Sequence, residues 1–331
     1  MSNSAGYLRS DDGAYDAADN TKKYSITMLQ VLPRFLMLLV MVLPRLLMDF
    51  VRAYIWAPKK SILGQVALVT GGGNGFGKAL CLRLAQEGCS IAIADIDMIS
   101  AQKTAEEIRQ LGCRVKVFKV DVSDLRSVQQ LRIDVESKLG PVDILVNNAG
   151  LLTTFSLSEG SAEDVRRVFD VNLMSHLWTI REFKDGMIQR GLGHIVGISS
   201  ILGFFHSSRA ASYCTTKFAI RGLMRCLDEE FFQLGLENKV TATCVYPVFM
   251  YTRQSLINMI VERGLFPVLF TAERVANITV DGILQNCTEI IAAPFYIRIL
   301  MKIYEFFPLS YQHAISTLQV SPANVKRFKQ K

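Results

Sequence analysis

The stretch Val66-Ala67-Leu68-Val69-Thr70-Gly71-Gly72-Gly73-Asn74-Gly75-Phe76-Gly77 decides how the rest of the chain is read. A short apolar run predicts a buried strand, the glycines predict a tight turn, and the pattern from Lys78 onward predicts a helix. Glycine permits positive φ and close backbone approach, so the turn amides and the positive helix end can cradle a pyrophosphate. A glycine cluster alone also suits an ordinary turn. The order strand, turn, helix gives this one its weight.

Working outward, short β-branched runs alternate with helical patterns after Pro58, Lys59 and Lys60. Strands are predicted at 66–69, 90–94, 115–119, 144–147, 194–198, 240–245 and 289–292, with helices between them. This is the pattern of an α/β, Rossmann-type doubly wound parallel sheet. Ser161 with Asp164 supplies a capping-box start for the helix leading to Asn172. At the end of the second strand stands Asp95, where a carboxylate can accept from a ribose 2′-hydroxyl and repel a 2′-phosphate. That favours NAD(H) over NADP(H), with Asp97 as a competing candidate.

Further motifs follow at ordered spacing: Asn147-Asn148-Ala149-Gly150, Ser199-Ser200 and Tyr213-Cys214-Thr215-Thr216-Lys217. Tyr213 and Lys217 lie four apart and share one helix face. Tyrosine is a poor acid or base at a pKa of about 10, so a nearby ammonium that favours phenolate is expected to pull it toward useful pH.

Together with the glycine turn, these motifs resemble the short-chain dehydrogenase/reductase family over residues 64 to about 293. The apolar N-terminus and the part after Pro247 look like its lipid-associated retinol and 17β-hydroxysteroid dehydrogenases. The resemblance implies that Tyr213 exchanges a proton with the alcohol or carbonyl oxygen, that Ser200 hydrogen-bonds this oxygen, and that Lys217 also holds the nicotinamide ribose. It assigns Asn172 to positioning a water in the proton relay. It places Gly71, Asn74, Gly75, Phe76, Gly77, Asp95, Asp121, Val122, Asn148, Ala149, Gly150, Pro247 and Thr252 against the cofactor, with Asp121 and Val122 at the adenine and Thr252 at the carboxamide. The chain departs from the family at Val248, where glycine usually follows the proline.

On the substrate side, Leu202, Phe204, Phe205, Phe249, Met250, Ile257, Met259, Ile260, Phe266 and Phe270 are candidate pocket walls, suited to a retinoid, steroid or long-chain alcohol. Each is equally compatible with core packing. Cys214 has no paired base in view and reads as structural. The four histidines show no metal spacing, and no metal is expected.

The net charge of +7 is scattered and does not form a patch with interleaved aromatics, which argues against nucleic acid. Seven cysteines without CxxC spacing read as buried hydrophobes in a reducing compartment. Residues 1–24 read as a disordered polar leader, 25–57 as an apolar attachment segment, 61–293 as the catalytic domain and 294–331 as an apolar-basic extension.

In the attachment segment, Lys23, Gln30, Arg34, Arg45, Asp49 and Arg52 fall on one narrow helical face and the remainder is apolar. The longest uncharged run, 35–44, falls short of the roughly 20 apolar residues of a simple span. An interfacial helix, a hairpin bent at Pro33 and Pro44, a span and a helix packed on the body all remain open.

The expectation is therefore an NAD-dependent oxidoreductase of lipophilic alcohols on the endoplasmic reticulum membrane or a lipid droplet, facing the cytosol. A homodimer is compatible with this reading, and the sequons at Asn277 and Asn286 are expected to be unmodified. The alternatives are an NADPH-dependent lipid carbonyl reductase and a lipid-droplet surface protein with vestigial catalysis.

Overall fold

The computed structural model describes residues 58–153, 159–237, 239–250 and 270–318, together with Leu32, Pro33, Leu36, Met37, Val40, Met41 and Pro44. The chain divides into two units, Met1–Ala57 and Pro58–Lys331. In the first, those seven residues are helical and exposed. The rest of the attachment segment and the leader lie outside the described residues. Among the described residues, no helix is long and apolar enough to cross a membrane.

The second unit is built on seven parallel strands in the order β3-β2-β1-β4-β5-β6-β7. They are β1 (Val66–Thr70), β2 (Ser90–Asp95), β3 (Val115–Lys119), β4 (Ile144–Asn147), β5 (Gly193–Ile198), β6 (Val240–Pro247) and β7 (Glu289–Ala292). The central strands are mostly apolar because helices cover both faces, and β1, β4, β5 and β6 are buried along their whole length. Leu68, Ile91, Ile93 and Leu145 are fully enclosed, each contributing about 1.5–3 kcal/mol of apolar burial.

Several strands run one or two residues past the predicted ends toward the carboxyl edge. Thr70 is in register with Ala94, and Pro247 with Ala292. The apolar signal stops earlier than the ladder does, so polar Thr70 and Asp95 belong to the strands that carry them to the site.

Among the described residues of this unit the helices are α1 (Gly75–Gln86), α2 (Met98–Gln110), α3 (Leu125–Lys138), α4 (Ala162–Phe169), α5 (Ser175–Arg190), α6 (Ala211–Gln233), α7 (Ala272–Leu284), α8 (Phe295–Tyr304) and α9 (Leu309–Leu318). The predicted capping box starts α4, with Ser161 and Asp164 bonded reciprocally. The chain leaves β1 toward β2 and β3, then returns to β4 on the opposite side of β1. That reversal opens a crevice at the carboxyl ends of β1 and β4, where this architecture binds ligands.

Candidate active site

At the end of β1 the backbone turns at Gly71, with φ of +64°, a conformation that side chains resist. A Cβ on Gly71 would stand 3.0 Å from the Cα of Ala149, and one on Gly77 only 2.0 Å from the Gly71 carbonyl oxygen. The turn is therefore packed as a bare backbone surface against α1 and the β4 loop. Asn74 caps α1, its Oδ1 accepting from Gly75 N at 2.7 Å, so the positive helix end faces the turn.

Thr70 and Asn148 join the two strands. Thr70 Oγ1 accepts from the amides of Asn148 and Ala149 at 3.0 and 3.1 Å. Asn148 Nδ2 donates to the carbonyls of Thr70 and Gly71 at 2.9 and 3.0 Å. Thr104 adds a hydroxyl donated to Gly73 O at 2.8 Å.

The two candidate carboxylates at and just beyond the end of β2 have different duties. Asp95 accepts from Gly73 N at 2.8 Å and Asp97 N at 2.9 Å, which holds it beside the turn. Asp97 caps α2 by accepting from the amides of Ile99 and Ser100 and the hydroxyl of Ser100. Asp121 Oδ1 accepts from the amide and hydroxyl of Ser123. Of the two, only Asp95 lines the crevice.

One cavity of about 610 Å³ is lined by Gly71, Asn74, Gly75, Phe76, Gly77, Asp95, Asp121, Val122, Asn148, Ala149, Gly150, Ser200, Tyr213, Lys217 and Pro247. Ala94, Val120 and Val122 form an apolar wall at one end, and Leu151, Leu152, Leu202, Val248, Phe249 and Met250 also line it. Thr252, Ile257, Met259, Ile260 and Phe266 lie outside the described residues.

Lys217 is buried and donates to Ile198 O at 2.7 Å, with its ammonium 5.5 Å from the centre of the Tyr213 ring. Burial lowers Lys217 to about 8. Burial also pushes the Tyr213 phenol up to about 12, against a hydrogen bond with Ser200 that acts in the opposite direction. The expected downward pull of Lys217 on Tyr213 is not among the causes of this shift, which desolvation dominates. Ser200 Oγ also accepts from Leu202 N at 3.2 Å, capping the turn Ile201–Gly203.

Asn172 sits in a π-helical turn, Asp170–Met174, and is buried. It does not line the cavity. Its Oδ1 accepts from Leu151 N at 2.7 Å, and its Nδ2 donates to Leu151 O at 2.9 Å and Thr216 Oγ1 at 3.3 Å. The amide thereby clamps the loop after Gly150 to α6. A π-turn at a functional crevice is a recurrent use of that irregularity.

Three candidate pocket walls pack elsewhere. Phe204 stacks edge-on with Tyr246, Phe205 with Tyr304, and Phe270 is buried beneath Arg274. Val248 is buried, and Asn286 is the only non-glycine with positive φ among the described residues. The missing glycine therefore imposes no backbone strain. The Cys214 thiol is buried and raised in pKa by that burial, which makes it a poor nucleophile. His176 and His194 are buried with lowered pKa values, mainly through desolvation.

A doubly wound sheet with a glycine turn, a strand-end carboxylate and a Ser, Tyr and Lys set in one crevice defines a nucleotide-dependent oxidoreductase fold. Residues 65–256 match the short chain dehydrogenase family, and the chain belongs to that family. It is 32% identical over 271 residues to 17-beta-hydroxysteroid dehydrogenase 13 of Rattus norvegicus, covering 82% of this chain and 88% of the relative. It is also 32% identical to estradiol 17-beta-dehydrogenase 11 of Rattus norvegicus, covering 78% and 85%. Among solved structures, a short chain dehydrogenase/reductase from Burkholderia phymatum in complex with NAD superposes with a TM-score of 0.67 at 26% identity, covering 79% of this chain and 97% of that one. A metagenomic short-chain oxidoreductase in complex with NADP gives 0.59 at 25% identity, covering 70% and 97%.

Proposed function

We propose that this dehydrogenase transfers hydride between NAD(H) and a lipophilic alcohol or its carbonyl, of the retinoid, steroid or long-chain alcohol class. The observation that carries the reading is the convergence of Ser200, Tyr213 and Lys217 on the same crevice as the bare glycine turn. The residues fit a dinucleotide: a Cβ would fill the cradle at Gly71, Asp95 is fixed beside it, and Val120 and Val122 offer an apolar surface to a base. When bound, the nicotinamide supplies the hydride acceptor.

The chain's own side chains manage the proton. As the phenolate, Tyr213 Oη takes it from the substrate hydroxyl and becomes the phenol, and Ser200 Oγ holds the substrate oxygen at hydrogen-bond range. Lys217 stabilises phenolate and, through Ile198, fixes the helix face against β5. Leu151, Leu202, Phe249 and Met250 exclude water from an apolar substrate. The relatives, a hydroxysteroid and an estradiol dehydrogenase by name, support the substrate class.

NAD(H) is preferred because the Asp95 carboxylate opposes a 2′-phosphate. Residues 25–57 attach the enzyme to the endoplasmic reticulum membrane or a lipid droplet, with the catalytic unit in the cytosol. The exposed faces of Leu36, Met37, Val40 and Met41 support that attachment.

The test is turnover of estradiol, all-trans-retinol and a long-chain alcohol with NAD+ and with NADP+, on wild type and Asp95→Ala. NAD+ turnover that shifts toward NADP+ in the variant is expected. A wild-type preference for NADP+, or no hydride transfer with any of the alcohols, contradicts the reading.

A further inference from the structure

Tyr213, Lys217 and Arg221 follow one another at four-residue intervals along α6, and the third has no part in the chemistry above. Arg221 is 8% exposed. Its guanidinium lies 3.9 Å from the centre of the Phe204 ring, and both of its terminal nitrogens donate to Glu305, one of them at 2.7 Å. Glu305 caps α8, beyond the residues matched by the family. The neighbouring Tyr304 is 2% exposed and meets Phe205 edge-on at 4.5 Å.

Phe204 and Phe205 end the short turn that Ser200 begins. The turn is closed by Gly203 N donating to Ser200 O at 2.8 Å. It is pressed onto α6 so closely that a Cβ on Gly203 would stand 2.5 Å from Ser199 Oγ and 3.0 Å from Lys217 O. Ser199 Oγ also donates to Lys217 O at 2.8 Å. One side of the Ser200 turn is thus fixed by the catalytic helix. The other is held by the end of α8, through a paired, largely desolvated guanidinium and two aromatic contacts.

We propose that Glu305 is a positioning residue for Ser200, acting through Arg221 and Phe204, so that the C-terminal helix is a working part of the active site. This rests on Ser200 holding the substrate oxygen. Removing the Glu305 charge leaves Arg221 nearly buried without its counter-ion, and the guanidinium then leaves the Phe204 ring to reach water. The turn loses its outer support, while the glycine cradle, tied by Thr70 and Asn148, is untouched.

The full-length protein carries the test as Glu305→Gln, with Glu305→Asp as the conservative control. Amide hydrogen exchange over 201–206 is expected to quicken about tenfold or more in Glu305→Gln and to recover in part in Glu305→Asp, with β1 and β4 unchanged. With estradiol and NAD+ as probes, kcat is expected to fall about tenfold with KM for NAD+ unmoved, and that loss is expected to vanish in a Ser200→Ala background.

Exchange at 201–206 identical to wild type, alongside a normal loss in Ser200→Ala, overturns the positioning role alone. So does a Glu305→Gln loss that persists undiminished in Ser200→Ala. Full turnover by Ser200→Ala overturns the reading of Ser200 and the positioning role with it. The exchange measurement needs no substrate, so exchange identical to wild type at 201–206 overturns the positioning role even for a protein that ignores estradiol.

Discussion

The ammonium of Lys217 stands 5.5 Å from the centre of the Tyr213 ring while its hydrogen bond is given to Ile198 O. The lysine is held there at a cost. Its pKa falls to about 8 through burial, so at neutral pH a charge is kept where solvent would serve it better.

Lys217→Met should therefore separate activity from stability. Its kcat is expected to drop by about 10²-fold or more, while unfolding free energy holds or rises, the relief being on the order of 3 kcal/mol before the lost hydrogen bond is subtracted. Between the folded value of about 8 and the ordinary 10.5, the unfolded chain binds more protons, so wild-type stability climbs with pH across that window. Lys60 is also lowered by burial to about 8 and adds to the same climb, so denaturant melts should show a shallower climb in the variant than in wild type. A variant strongly destabilised at pH 7 contradicts this account.

His176 makes the opposite end of the pH scale informative. Burial, and then the charge of Lys217, lower it to about 3. From its ordinary 6.5 down to that value the unfolded chain takes up a proton that the folded chain refuses, so stability is full above 6.5 and is lost as pH falls. His176→Leu should lose less stability than wild type between pH 7 and pH 4, by roughly 3 kcal/mol. Equal losses in the two proteins would show that the folded imidazole takes up its proton as readily as the unfolded one.

Thr70→Val tests the joint between β1 and β4. The substitution keeps shape but removes the acceptor for the amides of Asn148 and Ala149. Each amide is part-buried, and leaving it unpaired costs up to about 1–3 kcal/mol. A lower melting temperature is expected, with a several-fold higher KM for the dinucleotide, since the glycine turn leans on this joint. Thermal melts and cofactor titration check both.

The strands, the glycine turn and the Tyr213, Lys217 pair were legible because each is written locally, as alternation, as a run or as a four-residue spacing. Choosing Asp95 over Asp97 needed the structure, since only there does Asp97 prove committed to capping α2. Phe204 and Phe205 looked like pocket walls because an apolar side chain reads the same whether it faces a ligand or Tyr246 and Tyr304. Thr70 and Thr104 carry no periodic signal, so their service to the turn was invisible. Asn172 stands out through the resemblance of its setting, while the bonds of its amide to Leu151 and Thr216 carry no sequence signal. Fixed partners of that kind depend on which loops meet in three dimensions.

The central claim is that Tyr213 moves the substrate proton in this crevice. The direct measurement is NADH formation from estradiol, all-trans-retinol and a long-chain alcohol by purified wild type and Tyr213→Phe, with NAD+ affinity measured in parallel. The account predicts turnover by wild type and a loss of about 10²–10⁴-fold in Tyr213→Phe at nearly unchanged NAD+ affinity. Turnover by Tyr213→Phe at the wild-type rate would contradict it.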